Sequence, residues 1–103
     1  MSKVLSTKLS FPASESPDVV GYRLYIEQDP NPVTYDSKSF DLGTKTEVFI
    51  STLEGMGQLD GVYNLGVTAI DDAGNESDMQ VIEKVALDFF APAPVGQLVI
   101  SRD

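Results

Sequence analysis

The chain contains neither cysteine nor histidine. That double absence excludes disulfides, thiolate chemistry, the usual zinc ligands and histidine acid/base catalysis, so any bound metal would rest on oxygen ligands. Basic residues are also scarce. Seven Lys and Arg against sixteen Asp and Glu leave a net charge of −9, a repulsive field for nucleic acid and anionic membrane alike. Neither is an expected partner. No apolar run approaches the roughly 20 residues of a membrane-spanning helix. Met1 to Pro12 has neither the basic start nor the apolar centre of a secretory signal. Membrane insertion is therefore not expected. These absences do not fix the compartment; a place on the cell surface or outside it, within a larger secreted protein, is the working expectation.

What is present is a β pattern. A length of 103 residues suits one domain, which can bury roughly 65% of its unfolded surface around a single core. Residues 4–11 alternate, with Leu5, Thr7, Leu9 and Phe11 on one face, and stop at Pro12, which cannot donate to a central ladder. Residues 20–27 place Val20, Tyr22, Leu24 and Ile26 inward and Gly21, Arg23, Tyr25 and Glu27 outward. Asp29-Pro30-Asn31-Pro32 then turns the chain. Residues 33–35, continuing irregularly to Leu42, read as a polar edge strand, and residues 46–53 follow with Val48 and Ile50 inward. Gly55, Gly57 and Gly61 make the next corner. Beyond it, Tyr63, Leu65, Val67 and Ala69 line one face of the clearest strand; Asp71 to Ser77 supply turn residues, and 79–87 return as a hairpin partner. No segment keeps a 3.6-residue apolar period, so the fold class is all-β, with two packed antiparallel sheets or a small barrel in view.

The order and spacing of these signals resemble strands B, C, C′, E, F and G of a fibronectin type III domain, from about Val4 to Leu87. Phe11-Pro12 is similar to the end of strand B, where many members carry Trp. Val20 to Leu24 resembles strand C. Leu53, Gly61 and Tyr63 resemble the corner before strand F, with the Tyr63 hydroxyl returning to backbone a few residues upstream. The resemblance implies a two-sheet antiparallel β-sandwich over residues 1–90, with Phe11, Tyr22, Leu24, Leu53, Tyr63, Leu65 and Val67 as structural residues. It also implies that strand A is missing at the front, which would leave strand B an open edge. The tail, 91–103, contains Ala91-Pro92-Ala93-Pro94-Val95 and then Leu98, Val99 and Ile100, and looks like the lead-in and strand A that open such a domain. Three placements of it stay open: folding back onto its own domain, occupying the strand A site of a neighbouring molecule to give a swapped homo-oligomer, or beginning a following domain. Phe89 and Phe90 are core if buried at the end of strand G, and an interface patch if exposed.

A family of this kind identifies a scaffold, with function on its loops and free edges. The expected function is non-catalytic: a protein-interaction or spacer module meeting a protein partner or neighbouring domain. Its contact residues would be Val95, Leu98, Val99 and Ile100. An alternative is a carbohydrate-binding accessory domain, with Tyr25 and Tyr35 side by side on the outer face as a stacking surface. The acidic turn offers Asp71, Asp72, Asn75 and Asp78 as weak calcium ligands, but its spacing departs from the D-x-[DN]-x-[DN]-G loop. The competing reading is a solvated turn, with Asp72 and Asn75 bonded to backbone and Gly74 at an unusual φ. No cofactor is expected. No Ser-His or Cys-His pair can exist and no glycine-rich phosphate loop occurs, so no enzymatic activity is expected.

Overall fold

In a computed structural model, residues 7–57, 60–89 and 93–101 are described. Among these residues six strands form: β1 (Lys8–Ser10), β2 (Val19–Gln28), β3 (Lys38–Gly43), β4 (Glu47–Phe49), β5 (Asp60–Asp71) and β6 (Gln80–Asp88), with one 3-10 turn at Ile50–Thr52. All pairing is antiparallel, and the strands divide into a small sheet, β1-β4, and a larger one ordered β3-β2-β5-β6. The two sheets pack as a sandwich. Period-2 alternation sends Tyr22, Leu24 and Ile26 of β2 and Leu65 of β5 into the space between them, where Leu42, Ile50, Met56, Leu87 and Phe89 meet them. Leu9, Phe11, Leu53, Tyr63 and Val67 pack around this cluster, so all seven expected structural residues lie in or against the core. Phe11 meets Tyr22 edge to face at 5.1 Å between ring centres.

Several boundaries differ from expectation, each for a local reason. Val20 faces solvent, because the register shifts between Val19 and Gly21 and gives the inward place to Val19. Residues 33–35 form no strand: the Thr34 amide donates to the Ser37 hydroxyl and the Asp36 amide to the Thr34 hydroxyl, closing a turn before β3. The strand expected over 46–53 shortens to β4, since the chain tightens at Ile50, whose amide donates to the Thr7 carbonyl at 3.0 Å. Phe89 is buried, whereas Phe90 lies outside the described residues, as do Val4 to Ser6 of the first expected strand. The corner at Gln58 and Leu59 lies outside them too, and with it the backbone bond expected of the Tyr63 hydroxyl. The expected C-terminal strand does not form within the chain. Residues 93–101 have no regular secondary structure and are exposed, outside both sheets.

Candidate functional site

The outer face of the larger sheet is closed by polar chemistry. Alternation points Arg23 and Tyr25 of β2 and Thr68 of β5 away from the core, and the chain after the β5–β6 turn drops Glu76 between them. One carboxylate oxygen of Glu76 accepts from the Arg23 guanidinium at 2.8 Å. The other accepts from the Tyr25 hydroxyl and, at 2.8 Å, from the Thr68 hydroxyl. Burial raises the Tyr25 hydroxyl above its ordinary pKa, and its bond to Glu76 adds to that. The same bond, helped by Thr68 and Arg23, holds the Glu76 carboxyl below the ordinary carboxylate value despite the opposing effect of burial.

Nearby, Asn64 is buried and satisfied at both ends. Its amide donates to the Asn31 carbonyl at 2.8 Å and its oxygen accepts the Lys84 amide at 3.0 Å, where the register of β6 slips and Lys84 takes a φ of 59°. Gly66, between these polar positions, leaves the room that the Met79 side chain occupies; a Cβ there would meet its thioether.

On this face the two rings expected as a stacking surface differ in exposure. Tyr25 and Tyr35 do meet edge to face, 5.8 Å apart. Tyr25, however, is only 2% exposed, and Tyr35 sits in a turn with its hydroxyl donating to the Ser77 carbonyl. Of the two rings only Tyr35, 53% exposed, is open to solvent. The acidic turn is likewise occupied by its own donors. Asp71, rather than Asp72, organises it: one carboxylate oxygen accepts the amides of Ala73 and Asn75, and the other accepts the Asn75 side-chain amide at 3.1 Å. Those bonds, the Asn75 side chain first, hold the Asp71 carboxyl below its ordinary value. Gly74 supplies the expected positive φ, 87°. Asp72 and Asp78 are exposed, and no acidic group converges as metal ligands among the described residues.

The open chemistry lies on the flank between β1 and β6. Among the described residues β1 pairs only with β4, in the register Lys8↔Phe49, Leu9↔Val48, Ser10↔Glu47. The Ile50 amide donates to the Thr7 carbonyl and the Phe11 amide to the Thr46 carbonyl, so positions 7, 9 and 11 turn their backbone groups toward β4. By antiparallel alternation, Lys8 and Ser10 present theirs to the other side. Below that edge, a groove of about 190 Å³ runs between Leu9, Ser10 and Phe11 on one wall and Leu65, Val67, Gln80, Val81 and Ile82 on the other. A larger hollow of about 630 Å³ continues it past Pro12, Tyr22 and Asp78. Ile82 is opposite the buried Leu65 and on the core face, yet it is 54% exposed because, among the described residues, no strand of the small sheet reaches over it. Two strands cannot roof four. The expected contact residues Val95, Leu98, Val99 and Ile100 are each at least 80% exposed and touch none of this flank.

Glu76, Arg23, Thr68 and Asn64 were not singled out by sequence. The available hints were polar or absent side chains at 64, 66 and 68 on the outward face of the strongest strand, an arrangement that suits close cover by another segment. No family model, curated protein or solved structure matches the chain.

Proposed function

We propose that the chain is a fibronectin type III-like sandwich acting as a non-catalytic protein-interaction module of a surface or secreted assembly, and that contact is made through the free edge of β1 and the flank beside it. Support for the family comes from the strand partition. Taken as B, C, C′, E, F and G, the six strands should divide into B with E and C′ with C, F and G, as β1-β4 and β3-β2-β5-β6 do. The observation that carries the functional reading is the half-exposed Ile82 beneath outward backbone groups at Lys8 and Ser10. A pure spacer has no need of an apolar groove beside an open strand edge. Donors within the fold hold Glu76 and Asp71 in the charged form, the reverse of the raised pKa a general acid requires, so neither is suited to that role.

The test is chemical-shift mapping of the labelled chain with a panel of uncharged nine-residue peptides: residues 93–101 of this sequence, and peptides alternating Val with Thr or Gln. A strand-adding partner should shift the amides of Lys8 and Ser10 and the methyls of Ile82, leaving the Thr44-Lys45 turn unmoved. If no peptide in the panel perturbs the flank, the interaction reading is wrong and the spacer reading replaces it.

A further inference from the structure

We infer that the occupant of the flank is residues 95–100 of a second copy of this chain, added antiparallel to β1 as a third strand of the small sheet. This rests on the flank being a contact surface and names what fills it.

The first support is electrostatic. Two copies each carrying a net charge of −9 repel over most of their surfaces, so contact is favoured where charge is missing from both. Residues 93–101, Ala-Pro-Val-Gly-Gln-Leu-Val-Ile-Ser, contain no ionisable side chain in a chain that is 22% charged. The groove walls, Leu9, Ser10, Phe11, Leu65, Val67 and Gln80 to Ile82, contain none either. The second is pattern. In an extended strand Leu98 and Ile100 share one face, which suits an apolar floor, while every backbone amide from Val95 onward is free to join a ladder, Pro94 lying just before it.

The third is direction and reach. The flank has Leu9 with Ile82 toward one end and Pro12 with Asp78 at the other, so β1 and β6 run in opposite senses. A strand antiparallel to β1 must enter beside Pro12 and Gln80, at the start of β6. The chain's own tail leaves from the opposite end, at Phe89. The six steps from Phe89 to Val95 reach at most about 21 Å, whereas the nine steps back along β6 to Gln80 cover about 30 Å. A chain cannot fill its own flank in this orientation. A neighbour's tail can.

The experiment is mass by light scattering on two complementary variants of the full chain. Leu98→Asp places a charge in the tail and leaves the flank intact; Ser10→Pro removes an outward amide and obstructs the edge while leaving the tail intact. Ile82→Glu serves in place of Ser10→Pro if circular dichroism shows that the proline variant does not fold. The unaltered chain should associate increasingly with concentration. Each variant alone should stay near the monomer mass of 11.2 kDa with association weakened at least tenfold, and their equimolar mixture should form a one-to-one pair of about twice that mass. A mixture that stays monomeric, or a variant that associates by itself as well as the unaltered chain, overturns the inference. Peptide mapping separates the two readings: a peptide other than 93–101 that alone binds the flank leaves the module standing and removes the second copy, whereas a flank that binds nothing removes both.

Discussion

Replacing Glu76 by Ala tests the outer-face network at its centre. The carboxylate serves three donors on two strands, Arg23, Tyr25 and Thr68. Thr68 is fully buried and Tyr25 nearly so, which makes their hydroxyls costly to strand, at about 1–3 kcal/mol each. Water softens the loss, because the Glu76 side chain is 21% exposed and a cavity opened there can hydrate. The net cost should be about 2–4 kcal/mol, a large share of the roughly 5–15 kcal/mol of a domain this size. Glu76→Gln keeps the shape and one carbonyl acceptor, and should cost about 1–2 kcal/mol. The assay is urea unfolding followed by tyrosine fluorescence, since the chain has four Tyr and no Trp. With a slope of about 1 kcal/mol per molar urea, the Ala variant should lose about 2–4 M in midpoint. A loss below about 0.5 kcal/mol, the scale of an ordinary surface substitution, would refute the network's structural role.

Acid should weaken the fold through the same carboxyl. The folded pKa of Glu76 lies below the ordinary 4.5, so its stabilisation is present above that value and is lost as pH falls through the folded one; urea midpoints should decline below about pH 4.5, and less steeply in Glu76→Gln. Tyr25 acts in the opposite sense, its raised pKa giving stability that is present below pH 10 and lost above the folded value, so Tyr25→Phe should flatten the alkaline limb. Leu24→Ala, at a fully buried centre of β2, should cost about 2–5 kcal/mol in the same titration. Asn64→Ala should cost about 2 kcal/mol and release the Lys84 amide, seen as faster hydrogen exchange there than at Val67.

The strongest strands were legible because apolar side chains recur on one face, Tyr22, Leu24 and Ile26, then Tyr63, Leu65 and Val67, even though the outer face is buried as well at Tyr25, Asn64, Gly66 and Thr68. Register was less so. Val20 looked inward until a bulge reassigned its face, and a bulge leaves little trace in composition. The bond between Tyr25 and Glu76 was not legible for a different reason: the two lie 51 residues apart in sequence, so the pairing is set by the closed sheet and by no local motif. Asp71, by contrast, organises its turn through neighbours two and four residues away, the local kind of bond that turn chemistry anticipates. The open flank was anticipated only through the family resemblance, which implies that strand A does not stand beside the first strand. What the fold adds is its chemistry, an uncharged groove under two outward residues.

The most direct test of that edge is amide exchange at Lys8, Ser10 and Phe11 in dilute and concentrated solution. In the dilute chain Phe11, bonded to Thr46, should be protected while Lys8 and Ser10 exchange at nearly free rates; at high concentration Lys8 and Ser10 should slow at least tenfold. Equal protection of all three in the dilute chain, or no slowing of Lys8 and Ser10 on concentration, would contradict the account.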